Sequence, residues 1–403
     1  MIEEKTNRSI YFPGLTGLRF FAAFTVIICH VEEFKSIWNI RETNTWDLHF
    51  FTLMGELAVT FFFVLSGFLI TYLLLVEKEK TGTIAMKQFY MRRVLRIFPL
   101  YYLIVLLGLF VFPQIGILDF PEWSDQIDGN FWVKVLMYTF FLSNLAIASI
   151  FPIPYVVHVW SIGVEEQFYL LWPFLVKYFK KTFRLLIGII VIYLIFTIGF
   201  RCLDDLHQGA NRFYQVAADF LKHTRIDCMA IGGIGAYAVY LNQSGFLDFV
   251  YQKSIQIGLY ILMLVLIYTQ LEFGYFTHEI YAIVFCLIIL NIGNNKNTFF
   301  QLEHPIFKYL GKISYGLYMY NYLCVRLAMI VVQYFYGENI LLGVSGNILL
   351  YVLAVVFTIL LSALSYEYFE KPFLRLKHRF TIVKSGETFQ KKDKEINFPF
   401  VKK

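Results

Sequence analysis

Apolar stretches recur from Phe12 to Tyr366 with no long polar interval between them. They cover residues 13–31, 57–76, 97–112, 161–179, 185–200, 229–241, 255–269, 280–292, 313–333 and 348–366. A helix of about 20 apolar residues crosses a bilayer core, and these runs reach or approach that length. The pattern predicts an all-α polytopic membrane helix bundle with about ten transmembrane helices. An eleventh stretch, residues 131–150, is interrupted by Lys134, Ser143 and Asn144.

Loop charge places that stretch. If it crossed, the basic cluster Lys177, Lys180, Lys181 and Arg184 would face away from the basic loop Lys78, Lys80, Lys87, Arg92, Arg93 and Arg96. Cytoplasmic loops carry the excess of Lys and Arg, so the segment is expected to be re-entrant or interfacial. The same reading puts Lys296, Lys308 and Lys312 inside, Asp119, Glu122, Asp125, Asp128 and Glu338 outside, and both termini in the cytoplasm. Residues 1–377 then form one membrane domain and residues 378–403 a basic cytoplasmic tail that meets solvent or lipid headgroups.

Composition agrees with this picture and narrows the function. The chain is 58% hydrophobic and 16% charged, where a soluble domain carries about a quarter charged residues. Its net charge of +6 comes from cations beside apolar segments, where they set membrane orientation; nucleic acid is therefore not the expected partner. Cys29, Cys202, Cys228, Cys286 and Cys324 show no CxxC or Cys/His spacing, so neither a zinc site nor a disulfide framework is expected. Cys202 and Cys228 flank one outer loop and could pair. No signal peptide is evident at the N-terminus, and no dinucleotide or P-loop motif is present. The glycines of LSGFLI and IGGIGAY are of the helix-packing kind.

Ionisable side chains within spanning helices are costly and point to function. Arg19 and His30 are eleven residues apart in the first run, which is about 20° beyond three full helical turns and roughly 16 Å along the axis. They share a face; alternatively, the arginine snorkels and the histidine sits at the interface. In HVWSIGVEEQFYLLWP, helical spacing puts His158 and Glu165 on one face with Ser161 between them, while Glu165 and Glu166 bring two adjacent acids into the membrane. The rival reading makes Trp160 and Trp172 interface belts and the glutamates a solvated helix start. MRRVLRIFPLYY places Arg92, Arg93 and Arg96 at an inner mouth, where a guanidinium fork suits phosphate and also satisfies ordinary positive-inside charge. Arg225 and Asp227 enter a later span together, as a salt bridge or as a functional pair. Ser66 is expected to bond its own helix backbone. These features describe a polar path through the bilayer, which a proton-coupled transporter could use as a relay, a polysaccharide-export partner could retain, or an acyl-transfer enzyme could use for chemistry.

GLRFFAAFTVIICH, FFVLSGFLI, RRVLRIFPLYY, HVWSIGVEEQFYLLWP, RIDCMAIGG, LGKISYGLYMYN and YEYFEKPFLRLK resemble, in this order, the motif series of the acyltransferase-3 family of integral membrane O-acyltransferases. The resemblance covers residues 11–377. It implies acyl, often acetyl, transfer from acyl coenzyme A to a hydroxyl of a cell-envelope carbohydrate or lipid-linked glycan, in the bacterial cytoplasmic membrane. The family's first-helix arginine and histidine fall on Arg19 and His30, its paired arginines on Arg93 and Arg96, and its two acids on Glu165 and Glu166. His30 is then expected as general base, or as acyl carrier in a covalent variant, with Glu165 or Glu166 orienting it. Arg19, Arg93 and Arg96 are expected to hold the donor, and His158, Trp160, Ser161, Arg225 and Asp227 to bind substrate; no metal is expected. Where the family often has a histidine, LYMYN offers Asn321, so no second-histidine role carries over. Some members continue into an esterase-like domain. This chain ends too soon for one, which suggests a stand-alone enzyme or one with a separate envelope partner.

Overall fold

The computed structural model describes residues 10–38, 41–42, 48–118, 130–150, 152–337 and 341–383. In chain order the elements are α1 (Leu15–Ile37), β1 (Arg41–Glu42), α2 (Leu48–Thr81), α3 (Met86–Leu106), α4 (Phe131–Thr139), α5 (Ser143–Ser149), α6 (Trp160–Tyr178), α7 (Thr182–Leu206), α8 (Arg212–Thr224) and α9 (Ile226–Tyr240). There follow α10 (Ser244–Val250), α11 (Lys253–Tyr268), α12 (Thr277–Asn294), α13 (Pro305–Lys312), α14 (Ser314–Tyr336), β2 (Leu341–Leu342), α15 (Val344–Ser365) and α16 (Lys371–Lys377). β1 and β2 form only a two-residue parallel pairing, so the architecture is helical.

Each of the ten apolar runs contains a helix, but they are not ten equal spans. Among the described residues seven helices are long and apolar enough to cross a membrane, or eight if α10 and α11, bent by 60°, make one broken span. The protein is integral to the membrane; the count of about ten is not confirmed among the described residues. α9 has 15 residues, about 22 Å of helix against a hydrocarbon core of roughly 30 Å. α6 carries Glu165, Glu166 and Lys177 among its 19 residues. Residues 131–150 form two short helices, α4 and α5, broken where Phe141 takes a positive φ of 58°. The acids assigned to outer loops at 119, 122, 125, 128 and 338, and the tail beyond residue 383, lie outside the described residues.

The crossing of α2 and α9 shows why small residues recur. A Cβ on Gly67 of α2 would lie 1.9 Å from the Met229 carbonyl oxygen, and one on Gly232 of α9 would lie 2.0 Å from that of Val64. Only glycine lets these two backbones touch, as the LSGFLI and IGGIGAY patterns predict. At the periphery, Ile195 and Phe196 of α7 and Leu264 of α11 are exposed and require lipid rather than water.

The start of α1 is pinned from far along the chain. Glu303 accepts from the Gly14 N–H at 2.5 Å and the Tyr11 hydroxyl at 2.6 Å, and pairs with Lys308 at 2.6 Å. Partial burial pushes its carboxyl upward, but the donors from Lys308, Tyr11 and Gly14 outweigh this and hold it below the usual range. All five cysteines are free; Cys202 is exposed and Cys228 buried, so the pairing allowed by the sequence is not made.

Candidate active site

A cavity of ≈ 220 Å³ opens between α1, α2, α3, α6 and α14. Its basic side chains are Arg19 from α1, Arg92, Arg93 and Arg96 from α3, and Lys377 and His378 from the segment ending α16. Arg93 and Arg96, one turn apart, face the same hollow. Arg92 is held in place: it donates to Glu77 at 3.2 Å and to the Phe380 carbonyl at 2.8 Å. Arg93 lies over the rings of Tyr169 and Phe89, 5.4 and 5.8 Å from their centroids, and its Nε has no hydrogen-bond partner in the structure. A guanidinium stacked on aromatic faces keeps its charge without spending its donors, which leaves them for a ligand.

Glu165 lies in the same wall. Its carboxylate accepts from the Ser66 hydroxyl at 2.7 Å and the Tyr169 hydroxyl at 3.1 Å, tying α6 to α2. Ser66 therefore bonds across helices and not to its own backbone as expected. Glu166 is not among the cavity-lining residues, and its Oε1 has no hydrogen-bond partner. Adjacent helical positions diverge by about 100°, so the two acids are not a carboxylate pair.

Ser161 and Tyr318 line the cavity and also begin the next layer. The Ser161 and Tyr318 hydroxyls are 2.7 Å apart, and the Tyr318 hydroxyl donates to the His158 carbonyl at 2.7 Å. Beyond them lie two imidazoles with ring centroids 6.1 Å apart, His30 from α1 and His158. The Tyr322 ring meets both, stacking on His158 at 4.7 Å and meeting His30 edge-on at 4.5 Å. His158 occupies the 3-10 turn Pro154–Val159 ahead of α6 and is 2% exposed; neither ring nitrogen has a hydrogen-bond partner in the structure.

The partners of His30 are ones the sequence reading missed. Its Nδ1 is 2.6 Å from the Asn321 side-chain oxygen, and its Nε2 is 3.8 Å from Glu33 Oε2. The Tyr322 hydroxyl donates to both Glu33 oxygens, at 3.0 and 3.1 Å. The expected bond between His30 and Glu165 or Glu166 is not formed, because Glu165 is engaged with Ser66 and Tyr169 one layer away. Two signals were available: Glu33 is one turn after His30, and Tyr318, Asn321 and Tyr322 follow a one-face helical spacing.

The remaining residues fall in a separate cluster. Arg225 pairs with Glu56 at 3.0 Å, not with Asp227, and its guanidinium lies 5.7 Å from the Trp160 ring centroid. His278 reaches the same Glu56 carboxylate at 3.2 Å. Asp227 is fully buried, and neither of its oxygens meets a hydrogen-bond donor in the structure. Of the five residues expected to bind substrate, only Ser161 lines the cavity; His158 lies one layer beyond it, and Trp160, Arg225 and Asp227 are likewise outside its lining. No group of three or more metal-ligating side chains occurs among the described residues.

Residues 12–367 match the acyltransferase-3 family, described as an acyltransferase domain. The chain belongs to that family. Among curated acyltransferase relatives, the O-acetyltransferase OatA of Staphylococcus aureus is 28% identical over 390 residues, covering 92% of this chain and 58% of its own length. The peptidoglycan O-acetyltransferase OatA of Listeria monocytogenes is 33% identical over 189 residues, covering 45% of this chain and 27% of its own. The chain therefore spans little more than half of the S. aureus relative. No solved structure matches this acyltransferase chain.

Proposed function

We propose that this protein transfers an acetyl group from acetyl coenzyme A, entering from the cytoplasm, to a hydroxyl of a cell-envelope carbohydrate or lipid-linked glycan at a bacterial cytoplasmic membrane. One observation carries the reading: a cavity bearing Arg19, Arg92, Arg93 and Arg96 ends at Ser161 and Tyr318, whose hydroxyls adjoin the His30 and His158 layer. The arginine forks suit the donor's phosphates, while apolar lining residues such as Phe62, Phe63 and Leu69 suit its pantetheine arm. The S. aureus relative's name supports acetyl as the group transferred, and the Listeria relative's name supports a peptidoglycan sugar as acceptor.

His30 is the proposed general base. Its Nε2 takes the acceptor's hydroxyl proton as the oxygen attacks the thioester carbonyl; a C–O bond forms, the C–S bond breaks, and the proton passes to the departing thiolate. Glu33, 3.8 Å from Nε2, stabilises the imidazolium in the interval. Membranes from cells making the full chain, given radiolabelled acetyl coenzyme A and their endogenous glycans, test the reading. Label is expected in alkali-labile esters and is expected to be competed away by unlabelled coenzyme A. Incorporation equal to that of membranes lacking the protein overturns it.

A further inference from the structure

We propose that Asn321 is a positioning residue that holds His30 in the tautomer with a bare Nε2. The inference rests on His30 acting as base, and its evidence is the amide geometry. Asn321 is fully buried, and its side-chain nitrogen donates to the Tyr318 carbonyl at 2.5 Å and the Leu317 carbonyl at 3.4 Å. Turning the amide over would set its oxygen against those two carbonyl oxygens, so the orientation is fixed by α14 itself. The oxygen then faces His30 Nδ1 at 2.6 Å. An amide oxygen only accepts, so Nδ1 must carry the proton, and the lone pair belongs to Nε2.

The other groups around the imidazole do not supply this constraint. Glu33 approaches the opposite nitrogen from the same helix, at 3.8 Å. A carboxylate beside Nε2 would by itself favour the tautomer with its hydrogen there, which is useless for a base. Tyr322 presents a ring edge to His30 and gives its hydroxyl to Glu33. His158 lies 6.1 Å away without a hydrogen bond, and Tyr318 gives its hydroxyl to the His158 carbonyl. Asn321 is thus the neighbour that decides which nitrogen is bare, and it does so without adding a charge to the layer.

The test uses the full chain in membranes, reading acetyl transfer from labelled acetyl coenzyme A to endogenous glycan, with His30→Ala as reference. Asn321→Leu is expected to lower kcat at least about tenfold with KM for acetyl coenzyme A within about twofold, since a wrong histidine tautomer in a catalytic triad can cost up to about 10⁴. Asn321→Asp keeps an acceptor at Nδ1; it is expected to retain transfer and to move the acid limb of the kcat profile to higher pH by about one unit or more. A structural role alone would not move that limb. Histidine ¹⁵N spectra of the full chain, with His30 assigned by its loss in His30→Ala, read the tautomer without any turnover. A bare Nε2 is expected in the native chain and a mixture in Asn321→Leu. The proposal is overturned by a bare Nδ1 in the native spectrum, or by Asn321→Leu matching the native kcat and pH profile while His30→Ala is inactive. If His30→Ala itself transfers normally, the base assignment fails first and this inference with it.

Discussion

At one end of the bundle four arginines face a hollow of ≈ 220 Å³; about three turns along α1, two imidazoles lie with a tyrosine ring 4.5 and 4.7 Å from them. The cavity presents charge across open space, with Arg92 anchored on Glu77 and the Phe380 carbonyl and Arg93 stacked on Tyr169 and Phe89. The imidazole layer is ring against ring, and short directional contacts, His30 to Asn321 and Tyr318 to the His158 carbonyl, leave little freedom. The first arrangement suits binding and the second suits geometry that must not change during a reaction. The division teaches that damage to the two regions should appear in different kinetic constants.

His30→Ala should break the comparison most severely. Loss of a positioned general base typically costs about 10²- to 10⁴-fold, and the fall should appear in kcat with labelled acetyl coenzyme A still retained on the protein. Near-native turnover would remove His30 from the chemistry. Arg93→Ala with Arg96→Ala should act at the other end, raising KM for acetyl coenzyme A by about 10- to 100-fold while kcat stays within a fewfold, because hydrogen bonds to charged groups are worth about 1.5–3 kcal/mol. An equal fall in kcat with unchanged KM would erase the distinction between the regions. Gly232→Ala should spare both constants in the protein that folds and lower stability instead, by roughly 1–3 kcal/mol for an overpacked crossing. A thermal unfolding transition in detergent reads that loss, and a selective change in KM would show that the crossing shapes the cavity.

Much of this was legible in the chain because it depends on neighbours in sequence. The apolar runs gave the helices, the eleven-residue spacing put Arg19 and His30 on one helix three turns apart, and the glycine patterns marked the close crossing of α2 and α9. The number of full spans was not legible, since α9 stops after 15 residues and α6 carries two acids and a lysine among its 19. Nor was the partner of His30. Adjacent acids in the VEEQF segment offered the obvious candidate, but a side chain's partner is set by which helix packs opposite, and α14 brings Asn321 from 291 residues away. Ser66 misled for the same reason: its backbone bond was the local option, and a carboxylate 99 residues distant displaced it.

Tyr11 and Phe12, near the beginning of the described chain, and Thr381 and Val383, at its end, border the same hollow. Whatever lodges there becomes a clasp between segments separated by almost the entire polypeptide. Its occupancy is therefore linked to how firmly both ends are seated, as binding to the native fold alone always raises the cost of opening it.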